Sequence, residues 1–254
     1  MAAKTIFKKI IDHEIPAKIA YEDDLCLIGT TDVPYAGAAE DAAVDDSEVD
    51  YLLSAVNRYV TRELTRADIH HAFSGVRPLY DDNAANPSAV TRDYVFDTDG
   101  GGDGRAPMLS VFGGKITTYR KLAEHAMDEL AAAFPGMKAA WTARAPLPGG
   151  DFPDADFTAF LAAWQQRHDW LPPALARHYV RLYGTRADQV IGNAQSLPEL
   201  GRHFGGLLYE REARYLRDAE WAHTAEDILQ RRTKHGLHLE RSLRDAFEDW
   251  LRAA

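Results

Sequence analysis

The most informative segment of the sequence is Met108-Leu109-Ser110-Val111-Phe112-Gly113-Gly114-Lys115-Ile116-Thr117-Thr118-Tyr119-Arg120. An apolar run of strand type leads into two glycines and a lysine, and a helix is predicted to follow. Apolar residues repeat every three to four positions along that helix at Tyr119, Leu122, Ala126, Leu130 and Phe134. The pattern therefore predicts a strand, a glycine turn and a helix N-terminus in direct succession.

Such a corner favours an anion, because free backbone N–H groups and the positive end of the helix dipole point outward there. Lys115 adds a mobile positive charge. A second interpretation stays open, in which the turn needs Gly113 and Gly114 only for their backbone φ angles.

Two arginines lie beside predicted strands in the same half of the chain. Arg77 precedes Pro78, and Arg92 opens a strand predicted over 93–97. Arginine at a strand end presents a planar fork to a phosphate or carboxylate, although pairing with an internal aspartate is the alternative. His70 and His71 are neighbours on a predicted strand and would point to opposite faces, so no metal site is expected there or elsewhere.

The fold class predicted from these patterns is α+β. Residues 28–144 are expected to form a domain with a partial mixed or antiparallel sheet, and residues 151–254 an all-α domain. The predicted strands are 19–21, 25–28, 69–76, 93–97 and 108–112, with a helix over 5–11, a helix capped by Ser47, and a glycine-rich hairpin loop over 99–104. Residues 145–150, rich in proline and glycine, are expected to be a linker.

The second part of the sequence has helical spacing throughout. The predicted helices are 155–168, 173–183, 187–193, 209–220, 224–233 and 240–251. Trp164, Trp170, Trp221 and Trp250 are expected to anchor the core, and Gly236 to end a helix. Arg211, Arg214 and Arg217, with Glu212, Asp218 and Glu220 between them, are expected to form a solvated, ion-paired helix face.

Composition excludes several classes of protein. With 46% apolar and 27% charged residues in 254, the chain is neither disordered nor a disulfide scaffold. A net charge of −10 argues against binding to duplex DNA, and no apolar run approaches the ~20 residues of a membrane span. The single cysteine, Cys26, favours a reducing compartment. The expected location is therefore cytoplasmic, with at most peripheral contact to the inner face of the cell membrane.

Several motifs together resemble the bacterial FAD-dependent glycerol-3-phosphate dehydrogenases, in collinear order over about residues 27–254. In the first part these are Ile28-Gly29-Thr30-Thr31-Asp32, Phe73-Ser74-Gly75-Val76-Arg77-Pro78-Leu79, Thr91-Arg92-Asp93-Tyr94 and residues 109–122. In the second part they are Leu147-Pro148-Gly149-Gly150, Ala176-Arg177-His178-Tyr179, Tyr183-Gly184, Gly192-Asn193-Ala194 and Arg231-Arg232-Thr233-Lys234.

The resemblance implies oxidation of glycerol 3-phosphate to dihydroxyacetone phosphate, with FAD as cofactor and a membrane quinone as electron acceptor; an oxygen-reducing relative is not separated by these motifs. It also implies that Arg77 contacts the substrate oxygen, Arg92 the phosphate, and Lys115 the edge between flavin and substrate, with Arg77 and Lys115 as catalytic residues. Gly113, Gly114, Lys115, Ile116 and Thr117 would approach the isoalloxazine ring.

Two departures from the family pattern are expected to matter. The G-x-G-x-x-G fingerprint of the nucleotide-binding half is absent from the printed sequence. Residues 1–27, including Thr5 to Lys18, resemble the start of histidine-triad nucleotide hydrolases, although an unusual dehydrogenase start is the alternative. We therefore expect a truncated chain that retains no FAD, is inactive alone, and self-associates through exposed core surface. The alternative function is a non-enzymatic helical interaction module with a structural β segment.

Overall fold

The computed structural model describes residues 25–29, 31, 33–77, 93–102 and 104–253. The predicted helix 5–11, the predicted strand 19–21 and Arg92 lie outside these residues. The chain divides between Lys138 and Ala139 into two units. Helices and two small antiparallel sheets make up the described part, so the predicted α+β class is confirmed at this coarse level.

The first α-helix among the described residues, α1, spans Asp46–Val56 and begins at a reciprocal cap. The Asp45 carboxylate accepts a hydrogen bond from the Glu48 backbone N–H at 2.9 Å, and the Glu48 carboxylate accepts from the Asp45 N–H at 3.1 Å. These bonds satisfy backbone donors that a helix start leaves free. The predicted cap at Ser47 is therefore wrong, because Ser47 lies inside the helix and donates its hydroxyl to Asp45.

An antiparallel hairpin precedes the second helix. Strands β1 (Val95–Asp99) and β2 (Met108–Phe112) pair with Val95 opposite Phe112, and the glycine-rich tract lies in the loop between them. A 3-10 turn at Ile116–Thr118 then leads into α2, Tyr119–Leu130. The predicted strand 108–112, loop and helix are confirmed. The strand predicted at 93–97 lies two residues later, because the register of β2 pairs with 95–99.

Two other predicted strands are wrong. Residues 25–28 and 69–76 are described and form no strand. A strand needs a neighbour to satisfy its backbone groups, and in the described part of the first unit β1 and β2 pair only with each other. The predicted mixed sheet is thus reduced here to one hairpin.

Among the residues that the structure describes, the hydrophobic core lies in the second unit. No described residue of the first unit is buried, and large apolar side chains there reach solvent. The most exposed are Leu27, Val33, Tyr59, Tyr51, Phe73, Met108 and Ile116. The described residues of the first unit therefore hold no core of their own.

The second unit is mainly helical. It comprises α3 (Phe157–Arg167), α4 (Pro173–Tyr183), α5 (Ala187–Ile191), α6 (Glu210–Glu220), a π-helix (Asp227–Arg232) and α7 (Arg241–Ala253). The predicted helices are confirmed in number and order, but the one predicted at 224–233 has π rather than α geometry. A hairpin of β3 (His203–Gly205) and β4 (Leu208–Tyr209) corrects the all-α prediction.

The four tryptophans predicted to anchor the core differ in burial. Trp164 is fully buried in the core, and Trp170 and Trp250 pack against it, as predicted. Trp221 is 81% exposed, so its predicted anchoring role is wrong. It ends α6 in the left-handed conformation with φ of 57°, which turns the chain while the ring reaches solvent.

Two glycine predictions in this unit also need correction. Gly236 does not end a helix, because Lys234 takes the left-handed conformation at φ of 63° and Gly236 lies buried in a 3-10 turn. The expected linker 145–150 is anchored: the buried Gly149 accepts a hydrogen bond through its carbonyl from the Thr185 N–H at 3.0 Å. Among the helices that the structure describes, none has the length and apolar character needed to cross a bilayer.

Candidate functional site

The strand, glycine turn and helix corner has the backbone that its sequence requires. Gly113 and Gly114 have φ angles of 71° and 100°, which residues with a Cβ rarely adopt. A Cβ on Gly114 would lie 3.1 Å from Leu122 Cδ1 and 3.5 Å from Tyr94 Cβ, so the turn packs closely against α2 and the residue before β1. The conformational reason for the two glycines is therefore confirmed.

Lys115 lies between this turn and the 3-10 turn that begins α2. Its carbonyl accepts from the Thr118 N–H at 2.9 Å and the Thr118 hydroxyl at 3.0 Å. Its Nζ lies 3.6 Å from Asp93 Oδ1, and both side chains are more than half exposed. Exposed pairs of this kind contribute about 0–1 kcal/mol. An incoming anion can therefore take the place of Asp93 at low cost.

The side chains that follow Lys115 are open to solvent. Ile116 is 89% exposed, which is unusual for a large apolar residue at a chain turn, and Thr117 is also exposed. An exposed apolar side chain beside a cation and two glycines suits a ligand that is both planar and negatively charged. This corner brings together five of the seven residues predicted for the site, Gly113 to Thr117.

The other predicted site residues are placed differently. Arg77 is exposed and ends the described segment 33–77, in which the predicted strand is missing. Arg92 lies outside the described residues. His70 and His71 lie on irregular backbone, where His71 stacks on Phe73 at 6.1 Å between ring centroids, so the argument from opposite strand faces does not apply.

A buried polar cluster in the second unit was missed by the sequence analysis. Glu212 is fully buried, and its Oε1 lies 2.7 Å from both His178 Nε2 and the Tyr183 hydroxyl. Its Oε2 lies 3.4 Å from His235 Nε2. Burial opposes the ionised form, but the attraction and hydrogen bonds of His178 and then His235 lower the pKa of Glu212 to about 2.

The prediction that this face of α6 is solvated is therefore wrong at Glu212, which is buried. Arg214 and Arg217 do pair at the surface, with Glu210 and Asp218, whereas Arg211 donates to the Glu199 carbonyl at 2.8 Å. A signal was present in the sequence, since Glu212 shares the buried side of α6 with Ala213, Tyr215 and Leu216. A carboxylate among apolar positions of one helix face needs a partner from another element.

Two family comparisons divide the chain near the same point as its two units. A sequence model described as "FAD dependent oxidoreductase" matches residues 9–120, and one described as "C-terminal domain of alpha-glycerophosphate oxidase" matches residues 140–251. The first match includes residues 9–27 of the opening segment. It thus favours an unusual dehydrogenase start over a histidine-triad origin for that part.

Individual relatives agree with the family matches. The D-erythritol 1-phosphate dehydrogenase of Brucella abortus is 56% identical over 91% of this chain and 45% of its own length. The aerobic glycerol-3-phosphate dehydrogenase of Escherichia coli is 43% identical over 94% of this chain and 48% of its own length. The glycerol-3-phosphate dehydrogenase of Pseudomonas aeruginosa is 46% identical over 91% and 45%.

The chain spans about half the length of the curated relatives that it matches. The two family matches together extend over most of it, and they do not favour the non-enzymatic alternative. By sequence the chain is thus a member of the FAD-dependent oxidoreductase family that includes the bacterial glycerol-3-phosphate dehydrogenases.

Proposed function

We propose that this chain supplies the substrate-facing corner and the helical domain of an FAD-dependent dehydrogenase that oxidises glycerol 3-phosphate to dihydroxyacetone phosphate. The observation that carries the proposal is the corner of Gly113, Gly114, Lys115 and the exposed Ile116 in a chain of this family. Bound FAD would accept the hydride from the substrate C2 carbon, and a quinone would then take the electrons.

Each residue of the corner has a distinct part in this proposal. Gly113 and Gly114 supply the positive φ angles of the turn that carries Lys115 and Ile116. Ile116 would cover an apolar face of that ring. The Lys115 ammonium, released from Asp93, would stabilise negative charge at the edge between ring and substrate.

The two arginines would bind the substrate. Arg92 would hold its phosphate through paired N–H donors, and Arg77 would donate to the oxygen on C2, where the carbonyl forms. Arg77 and Lys115 are thus the proposed catalytic residues. The proposed domains are 28–144 for FAD and substrate and 151–254 for the helical part, with a cytoplasmic location and at most peripheral membrane contact.

We further propose that the 254-residue chain alone binds FAD weakly and is inactive. The supporting fact is that the printed sequence contains no G-x-G-x-x-G segment to hold the pyrophosphate. The test measures flavin absorbance of the purified chain, FAD binding by fluorescence, and dye reduction with glycerol 3-phosphate. A yellow protein that reduces the dye would refute inactivity while leaving the catalytic assignment intact.

The catalytic assignment is tested separately in a chimera. The part of the Brucella relative that this chain does not match is joined to the chain, and kcat/KM is measured with FAD present. We expect Lys115→Gln to lower kcat/KM at least about tenfold, equal to about 1.4 kcal/mol of transition-state binding. Lys121→Gln is the matched control, because Lys121 pairs with Glu124 on the exposed side of α2.

Arg77→Gln follows the same design. Its control is Arg62→Gln, because Arg62 is an exposed arginine that pairs with Asp68 at 2.7 Å. Equal losses in the Lys115 and Lys121 variants, or in the Arg77 and Arg62 variants, would contradict the assigned roles. Because the chimera contains a nucleotide-binding half, these tests of Lys115 and Arg77 do not depend on whether the chain alone binds FAD.

A second substrate is favoured by one observation. Identity to the D-erythritol 1-phosphate dehydrogenase is 56%, against 43% and 46% for two glycerol-3-phosphate dehydrogenases. The alternative function is therefore oxidation of a four-carbon polyol phosphate by the same chemistry. Comparing kcat/KM of the chimera for the two substrates decides between them.

A further inference from the structure

The polar cluster inside the second unit has no part in the function proposed above. His178 lies on α4, Glu212 on α6, and His235 just after the π-helix. One ligand-type atom from each residue lies within 4.8 Å of the other two, and Glu212 and His235 are buried while His178 is nearly so. Three distant segments thus bring two imidazoles and a carboxylate to one point.

We propose that His178, Glu212 and His235 form a binding site for a divalent transition-metal ion, with zinc as the best match. Two histidine nitrogens and one glutamate oxygen are a common zinc ligand set that leaves a fourth position for water or another ligand. The sequence pattern indicated no metal site, because the three residues are far apart along the chain.

The ligand atoms lie within 4.8 Å of one another, which is somewhat wider than their spacing around a bound ion. Bonds of about 2.0–2.2 Å in tetrahedral geometry place ligand atoms about 3.3–3.6 Å apart. His235 Nε2 and Glu212 Oε2 are 3.4 Å apart, which is long for a strong hydrogen bond. His178 Nε2 lies 2.7 Å from the other carboxylate oxygen, Oε1, and would have to separate from it by about 0.6–0.9 Å when an ion enters.

The backbone on the His235 side is held in an unusual form. Lys234, directly before His235, has φ of 63°, which is rare for a residue with a long side chain. The Thr233 hydroxyl donates to the Ile228 carbonyl at 2.7 Å and accepts from the His235 N–H at 3.2 Å. The preceding segment, Asp227–Arg232, is a π-helix, a rare form that occurs frequently at functional sites. Together they fix His235 toward Glu212.

The hydroxyl of Tyr179 supports the presence of a water or ion at the cluster. Tyr179 follows His178 on α4, and its hydroxyl is buried without a hydrogen-bond partner among the described residues. The ring centroids of Tyr179 and His178 are 5.5 Å apart. Buried polar atoms without partners are rare and commonly indicate a water or ion. A water on the fourth position of the metal would supply the missing partner.

Cobalt and zinc binding to the full chain test the proposal. The purified protein is treated with a chelator, dialysed and titrated with Co²⁺, whose visible absorption is intense only in four-coordinate sites. We expect this absorption to saturate at one ion per chain and to disappear when Zn²⁺ is added. No such absorption in the wild-type chain, or zinc bound only at variable and weak surface sites, would overturn the proposal.

Substitutions then assign the ligands. His235→Ala and Glu212→Gln should each lower cobalt affinity at least about tenfold, since even the loss of a residue that only supports a ligand typically costs about 10–100-fold. His223→Ala is the matched control, because His223 is an exposed histidine of the same unit. Circular dichroism identifies variants that do not fold. If the ligand variants do not fold, the cobalt absorption of the wild-type chain decides whether the site exists. Unchanged affinity in a folded His235→Ala protein would refute the site.

Discussion

Gly149 and Gly184 meet backbone to backbone inside the second unit. A Cβ on Gly184 would lie 1.8 Å from the Gly149 carbonyl oxygen, and Gly184 has φ of 55°. The Gly149 carbonyl accepts the Thr185 N–H, and the Thr185 hydroxyl donates to Asp151. This contact attaches the segment before α3 to the end of α4, so two glycines far apart in sequence act as one structural element.

We expect Gly184→Ala to destabilise the second unit by about 3 kcal/mol or more, because the methyl group collides with fixed backbone. Gly206→Ala is the matched control, since Gly206 has nearly the same φ, 54°, but its nearest atom is Leu239 Cδ2 at 3.6 Å. The control should cost only the backbone strain, about 1–2 kcal/mol. Urea unfolding followed by circular dichroism measures both, and equal losses would contradict the steric explanation.

Asp227 gives the second unit a pH-dependent contribution. The pKa of Asp227 is lowered from 3.8 to about 2. The hydrogen bond from the Thr224 backbone N–H is the largest cause, and the Thr224 side chain is the next. A lowered pKa stabilises the fold fully above the unfolded value of 3.8, and this contribution is lost as the pH falls through about 2. The carboxylate also accepts from His223 and Arg231.

We expect Asp227→Asn to lower the free energy of unfolding at pH 7 by at most about 1 kcal/mol, since solvent screens a side chain that is 23% exposed. The difference from wild type should shrink below about pH 4 and vanish near pH 2. Asp169→Asn, at an exposed position, is the control. A difference that grows on acidification would reverse the sign and refute the explanation.

At the scale of elements, α3 and α5 are joined by one buried side chain. Trp164 on α3 is fully buried and donates its Nε1 hydrogen to Asp188 on α5 at 2.7 Å. Trp221 has the same side chain but is 81% exposed. Comparing substitutions of Trp164 and Trp221 therefore separates the contribution of burial to stability from that of the residue type.

Trp164→Ala should cost about 3–5 kcal/mol, the usual range for removing a buried aromatic residue. Trp221→Ala should change the free energy of unfolding by less than about 0.5 kcal/mol. Thermal and urea unfolding of the two variants check this. Similar losses in both would mean that the core does not depend on Trp164.

The elements also show how far sequence patterns reach. The helix at Pro173–Tyr183 was predicted to the residue, because its proline start and apolar spacing are local. The strand predicted at 69–76 failed, because its stability depends on a pairing partner that no local pattern reveals. The corner at Gly113 to Thr117 was found from one continuous segment, whereas Glu212 and His178 are 34 residues apart and were missed.

At the scale of the whole chain, burial is distributed unevenly. All buried apolar side chains of the described residues belong to the second unit, and the first unit exposes many large ones. Such surface favours association with another protein or another copy. We therefore expect the purified chain to self-associate in a concentration-dependent way in sedimentation velocity experiments.

Met108→Ser with Ile116→Ser should shift the sedimentation distribution toward the monomer, because these side chains are 62% and 89% exposed. Trp221→Ala, which removes an exposed ring from the second unit, is the control and should leave the distribution unchanged. A wild-type chain that is monomeric at every concentration would refute the expectation.

The concentration of the core in the second unit also bears on the lifetime of the chain. Proteases cleave backbone that opens easily, and segments without buried side chains open at little free-energy cost. Cleavage should therefore start in the described part of the first unit and leave residues from about 139 onward intact. In a cell, the turnover of this polypeptide would then be set by whatever covers its first unit, however stable the helical unit is.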